Sequence, residues 1–248
     1  MARIEVREAT VLSCREFIGA DGMCWKEAEI AWTAPDYAPG QYVMAARKKK
    51  EFPWPSPLMI QEKRRDGFLV YIHQRSPLWE VSVCEMLTLW GPCGKGVEIK
   101  RPYIAISDPA GYLFVEPVVR GLPGCVRQYI IGRKPEREER RLGREIRFVC
   151  GLEEIWEEER LGEPGEDRDW LAALPFALAN QWKEEAPESI RARTMIFTGV
   201  KVGCGIGACR GCYIHGEGQG IPVCQNGPFL PVETIDYKKG QKFLAHFI

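Results

Sequence analysis

Four cysteines constrain this chain more than anything else in it. Cys204, Cys209, Cys212 and Cys224 follow the pattern C-x4-C-x2-C-x11-C, with Gly-Ile-Gly-Ala and Arg-Gly between the first three. Three thiols on so short a loop must wrap a compact centre. Gly205, Gly207 and Gly211 permit the positive backbone angles and close main-chain approach that wrapping needs, and they leave amide N–H groups free to point at sulfur. Ala208 keeps the wall small. This is the plant-type spacing in which four thiolates hold the two irons of a [2Fe-2S] cluster. Zinc is the competitor, but its structural sites usually show two short-spaced cysteine pairs, and here only Cys209 and Cys212 are so spaced. The four cysteines are therefore read as metal ligands, with Gly205, Gly207 and Gly211 lining the cofactor.

The chain has ten cysteines, a count that in a secreted protein would signal a disulfide scaffold. The N-terminus alternates apolar with charged residues and lacks the apolar core of a secretory signal, so the cysteines read as ligands plus free thiols. The other six, Cys14, Cys24, Cys84, Cys93, Cys125 and Cys150, are expected to be buried thiols. Lysine plus arginine equals aspartate plus glutamate at 34 each, so no bulk field favours nucleic acid or anionic lipid. The apolar stretch from Trp170 to Trp182 is broken by Pro175 and too short to span a bilayer. A cytoplasmic protein with no membrane insertion is expected. The three histidines, His73, His215 and His246, are far apart and lack the context of a catalytic triad. With no phosphate loop, zinc-protease helix or repeat in view, no catalytic residue is assigned.

Upstream of the cysteines the texture changes once. From Arg3 to about Lys100, alternating runs such as Ala28-Glu-Ile-Ala-Trp and short β-rich runs at Tyr42, Pro57 and Gly67 predict about six strands and a small antiparallel barrel. Lys48 to Pro57 interrupts it as a stiff, proline-rich loop. From Arg101 to Arg193, strands at Tyr103, Val126 and Glu145 alternate with a helix over Leu113 to Arg120, which predicts a parallel sheet with covering helices. The charge-dense stretches Arg133 to Arg144 and Glu153 to Arg168 read as solvated loops with an exposed helix near Ile155 and Trp156. Trp170 to Glu185 reads as an amphipathic helix, and Arg193 to Thr198 as a strand leading into the cysteine loop.

Val202-Gly-Cys-Gly-Ile-Gly-Ala-Cys-Arg-Gly-Cys and Val223-Cys-Gln-Asn-Gly-Pro-Phe resemble the cluster domain of the electron-transfer subunit of class 1B dihydroorotate dehydrogenase and of related sulfhydrogenase gamma-type subunits. The resemblance implies an α+β multidomain chain: a flavin-reductase-like antiparallel β-barrel over 1–100, a nucleotide-binding-like α/β domain with a parallel sheet over 101–193, and a small [2Fe-2S] domain with the C-terminal tail over 194–248. It also implies that Cys204 and Cys209 hold one iron and Cys212 and Cys224 the other, with Tyr213, His215 and Asn226 as candidates around them. FAD is the second implied cofactor. Pro39-Gly-Gln-Tyr and Gly91-Pro-Cys-Gly-Lys-Gly survive from the flavin pattern, which places Pro57, Gly91, Pro92 and Gly94 at the flavin.

This chain departs from the family in two places. The flavin strand reads Ser56-Pro-Leu-Met-Ile, without the arginine that would fix a charge beside the phosphates; Arg101-Pro-Tyr-Ile comes too late to replace it and opens the middle domain. After the first strand of that domain, Asp108, Tyr112 and Phe114 stand where small residues would let a pyrophosphate approach, and no Cys-Gly-Pro turn precedes Trp170. An NAD(P)H site is therefore not expected.

The expected function is an electron-transfer subunit that relays electrons through its cluster within a multi-subunit oxidoreductase, alongside a catalytic or electron-donating partner. The alternatives are a complete FAD-dependent NAD(P)H:acceptor reductase and an assembly subunit with a non-redox cluster. Phe243 to Ile248 and the Lys48 to Pro57 loop are the expected docking segments.

Overall fold

The computed structural model describes residues 5–32, 36–48, 55–132, 146–161, 168–216 and 218–240. The docking tail at 243–248, most of the proline-rich loop (49–54) and the charged stretch at 133–145 lie outside them.

β1 (Glu5–Ile18), β2 (Cys24–Ala31), β3 (Tyr42–Arg47), β4 (Ser56–Lys63), β5 (Phe68–His73) and β6 (Met86–Cys93) close into an antiparallel barrel in the order β1-β2-β5-β4-β3-β6. Alternation drives it. Inward residues such as Ala28, Ile30, Val43, Leu58, Val70 and Leu87 fill one core, as the period of two requires. The outward residues of β3, β4 and β6 serve a second purpose, because the rest of the chain packs against them.

The second half is a six-stranded sheet. After the barrel come β7 (Tyr103–Ser107), α1 (Tyr112–Gly121), β8 (Cys125–Ile131), β9 (Ile146–Val149), α2 (Leu152–Leu161), β10 (Asp169–Ala173), α3 (Phe176–Glu185), the short α4 (Glu188–Arg191) and β11 (Thr194–Phe197). The cysteine segment adds the hairpin β12 (Tyr213–His215) and β13 (Gly220–Pro222), the single turn α5 (Val223–Asn226), β14 (Phe229–Pro231) and a last turn α6 (Tyr237–Gly240). Sheet order is β14-β11-β10-β7-β8-β9. Its neighbours pair in parallel except β11 with β14, which are antiparallel. β11 and β14 thus flank the cysteine segment in sequence and lie side by side in the sheet.

Three sequence readings change here. Trp170 does not begin a helix: Asp169–Ala173 is a central strand, and the helix starts only after Pro175, whose fixed φ suits it to a helix start. The helix near Ile155 and Trp156 exists as α2, but both residues face the core, at 0% and 7% exposure. Trp156, Trp170 and Trp182 form one aromatic cluster, with ring centroids 4.4 Å apart for Trp156–Trp182 and 5.4 Å for Trp170–Trp182. Of the six cysteines outside the ligand set only Cys93 is buried; Cys84 and Cys150 are exposed.

Two apolar clusters join the halves. Met59 of β4 packs with Val97, Val115 of α1 and Phe229 of β14. Tyr42 and Met44 of β3 and Cys93 of β6 share a core with Cys212, Ile214, Val223 and Cys224. Among the described residues no helix is long and apolar enough to cross a membrane.

Candidate metal centre

The loop from Gly203 to Gly211 follows no regular secondary structure. It turns on left-handed backbone at Gly205 (φ +75°), Gly207 (φ +83°) and Arg210 (φ +55°), and these turns aim successive amides inward. The N–H of Cys209 lies 3.4 Å from Cys204 Sγ, that of Gly211 3.4 Å from Cys209 Sγ, and that of Cys224 3.4 Å from Cys212 Sγ. Gly211 N–H thus does what the sequence expected of a loop glycine.

The four thiols act on one another, Cys209 on Cys204, and Cys212 and Cys204 on Cys224. Burial pushes the Cys204 thiol up, but the amides of Cys209, Ile206 and Ala208 together with the Cys209 thiol outweigh it and bring the group down to about 7. Burial, and then the Cys212 thiol, push Cys224 up to about 12. Among the described residues no three His, Cys, Asp or Glu side chains converge as they would around a single ion. Amides aimed at cysteine sulfur fit an iron-sulfur cluster, whose sulfurs accept such hydrogen bonds.

The centre has an inner and an outer edge. Cys212 and Cys224 are 1% exposed, whereas Cys204 is half-buried and Cys209 exposed. The inner edge rests on the barrel. Trp90 Nε1 donates to the Cys204 carbonyl at 2.8 Å, Tyr42 OH donates to the Cys224 carbonyl at 3.4 Å, and Gly94 N–H donates to the same carbonyl at 3.1 Å. A Cβ on Gly205 would lie 2.5 Å from Met44 Cγ and 3.1 Å from Cys93 Sγ. Burial, and then its thiol neighbours, raise the Tyr42 hydroxyl well above its ordinary range, so it stays a proton donor. Tyr42, Trp90 and Cys93 carry no sequence signal for this role. Of the candidates named earlier, Tyr213 and His215 lie exposed on β12, and Asn226 donates to the Pro222 carbonyl at 3.2 Å.

The four residues that resemblance assigns to flavin lie in two places. Gly91 and Gly94 lie against protein backbone: a Cβ on Gly94 would collide with the Gly227 carbonyl. Pro92 lies between them in the same segment, and Pro57 stands apart on β4, paired with Met44 of β3. Further along the outer face of β4, Met59 is 7% exposed and Gln61 Nε2 donates to the Leu113 carbonyl at 3.1 Å.

The strand ends above the sheet open onto a cavity lined by Asp108, Gly111 and Ala173. β7 and β10 flank the point where strand order reverses, the usual nucleotide crevice of an open α/β sheet. Asp108 N–H donates to the Ala173 carbonyl at 3.3 Å, and Asp108 Oδ1 accepts from Gly111 N–H at 2.8 Å. Burial holds the Asp108 carboxyl above its ordinary range, against the pull of the Gly111 amide. Phe114 stacks on Phe197 with centroids 4.5 Å apart, and both line a cavity of about 270 Å³ with Trp25, Phe176 and Thr198. The strand-to-helix turn after β10 reads Ala173-Leu174-Pro175.

Residues 201–236 match the family model of the iron-sulfur cluster binding domain of dihydroorotate dehydrogenase B. No curated protein matches the sequence. Among solved structures, the NADH-dependent reduced ferredoxin-NADP oxidoreductase studied for flavin-based electron bifurcation superposes with a TM-score of 0.76 at 16% identity, covering 95% of this chain and 92% of that one. A ferredoxin reductase of carbazole 1,9a-dioxygenase gives 0.55 at 17%, covering 78% and 67%. A siderophore utilization protein from T. fusca gives 0.55 at 11%, covering 78% and 92%. The chain therefore has a ferredoxin-reductase-like fold, a closed barrel followed by a parallel-sheet α/β unit, and carries an iron-sulfur binding region at its C-terminal end.

Proposed function

We propose that this chain is a one-electron relay subunit of a larger oxidoreductase, that Cys204, Cys209, Cys212 and Cys224 hold a [2Fe-2S] cluster, and that it does not oxidise NAD(P)H itself. When bound, the cluster supplies a centre that accepts and releases single electrons. The loop amides and the Tyr42 hydroxyl stabilise negative charge on that centre, and the barrel keeps water from its inner edge. The observation that carries the proposal is a contrast within one fold. The loop amides of Cys209, Gly211 and Cys224 point at cysteine sulfurs, while the strand-end crevice carries the Asp108 carboxyl and is walled by Phe114 and Phe197. The match to the dihydroorotate dehydrogenase B cluster domain supports a role beside a redox partner, and ten unbridged thiols suit a reducing, cytoplasmic compartment.

Iron, sulfide and flavin per chain in the purified protein, followed by anaerobic addition of NADH, test the proposal. Two irons and two sulfides with a spectrum indifferent to NADH are expected. Release of FAD together with bleaching by NADH would instead establish a complete reductase. A cluster whose electron spin resonance signal never changes during turnover of the native complex would establish an assembly role.

A further inference from the structure

Resting on the one-electron reading above, we infer that the outer edge of the centre is a docking surface for an acidic one-electron carrier protein. Cys209 is the exposed thiol, and Ile206 and Tyr213 flank it at 42% and 37% exposure. Three exposed cations accompany these side chains. Lys201 and Arg210 belong to the loop itself, and Lys95 is tied to its far side by its N–H bond to the Gly227 carbonyl at 2.9 Å.

Arg47, Arg127, Arg147 and Arg191 all sit in ion pairs with glutamates, whereas Lys95, Lys201 and Arg210 have no ion-pair partner among the described residues. From Lys201 to Gly227 the sequence contains a single carboxylate, Glu217, outside the described residues. Exposed apolar side chains on a loop whose charges are cationic steer a partner of opposite charge and fix its orientation. The partner's redox group is thereby presented to the thiol nearest solvent. The transfer moves one electron from the reduced cluster to the oxidised carrier, and no bond or proton changes hands.

The test uses the full chain with its cluster, reduced by dithionite and freed of excess reductant. Stopped-flow mixing follows reduction of two probes, the acidic blue-copper protein plastocyanin and the basic haem protein cytochrome c, between about 10 mM and about 0.5 M salt. Transfer to plastocyanin should slow by about tenfold or more as salt rises, and transfer to cytochrome c should not. Lys201→Glu and Lys95→Glu, both at exposed positions, should slow and flatten the plastocyanin response while leaving the visible spectrum of the cluster unchanged. A plastocyanin rate that is flat or rises with salt, with a reducible cluster present, overturns this surface alone. A chain that holds no reducible cluster overturns the relay reading and this surface with it.

Discussion

The indole N–H of Trp90 donates to the backbone carbonyl of Cys204 across 2.8 Å. A barrel strand thereby fixes the main chain at the first thiol of the loop. Trp90→Phe removes the donor and leaves a partly buried carbonyl unpaired, at a cost of about 1–3 kcal/mol. The expected result is faster loss of visible cluster absorbance under a chelator, with the cluster content of freshly reconstituted protein little changed. Equal decay rates for variant and parent would show that the bond does not hold the loop.

Tyr42 brings a hydroxyl to the inner edge, where it donates to the Cys224 carbonyl and lies electrostatically close to the thiols. A donor near the sulfurs favours the more negative, reduced state. Tyr42→Phe should lower the cluster midpoint by less than about 59 mV, a tenfold change in a one-electron equilibrium. A resonance-monitored redox titration measures it, and a midpoint that rises would reverse the assignment.

Gly205 combines left-handed backbone with a closed face. Gly205→Ala sets a methyl 2.5 Å from Met44 Cγ and should cost about 1–3 kcal/mol in urea unfolding. Adding Met44→Ala opens the space but leaves the φ of +75°, so the double variant should recover only part of what the methyl group costs. Full recovery would mean that the backbone angle carries no strain.

Cysteine substitutions separate ligands from neighbours. Cys204→Ala, Cys209→Ala, Cys212→Ala and Cys224→Ala should each lower iron and sulfide per chain severalfold. Cys93→Ala should retain the full content although its thiol lies beside Gly205. If iron is lost from the Cys93 variant to the same extent, the four-thiol assignment fails.

Asp108 yields a pH prediction. Its carboxyl is raised in the fold by burial, so the native state binds more protons than the unfolded chain between the two pKa values. Its contribution to stability is fully present below the unfolded pKa and is lost as pH rises through the folded one. Asp108→Asn, which keeps an acceptor for Gly111, should stabilise the protein at pH 7 by less than about 1 kcal/mol. The gain should shrink as pH falls toward the ordinary carboxylate range, and thermal melts at several pH values read both the sign and the trend.

The sequence made the barrel legible because half of each strand faces a core and half does not. The iron-sulfur binding region was legible because cysteine spacing on a tight loop is a covalent constraint. The strand Asp169–Ala173 was not: inside a parallel sheet Trp170, Leu171, Ala172 and Ala173 are all buried, and an unbroken apolar run carries no period that separates strand from helix. Cys84 and Cys150 were misplaced because an apolar neighbourhood in sequence does not fix which side of a turn a thiol takes. Trp90, Tyr42 and Gly94 act across large sequence separations, and nothing local to them announces the loop they meet.

β11 and β14 pair as neighbours in the sheet while the cysteine segment lies between them in the chain. The centre therefore sits at the tip of a long excursion whose two ends are locked together, rather than on a tether. It cannot swing to meet successive partners without unzipping an edge of the sheet. Donor and acceptor must each come to a stationary terminal, and the gap an electron crosses is set by how closely each visitor can approach.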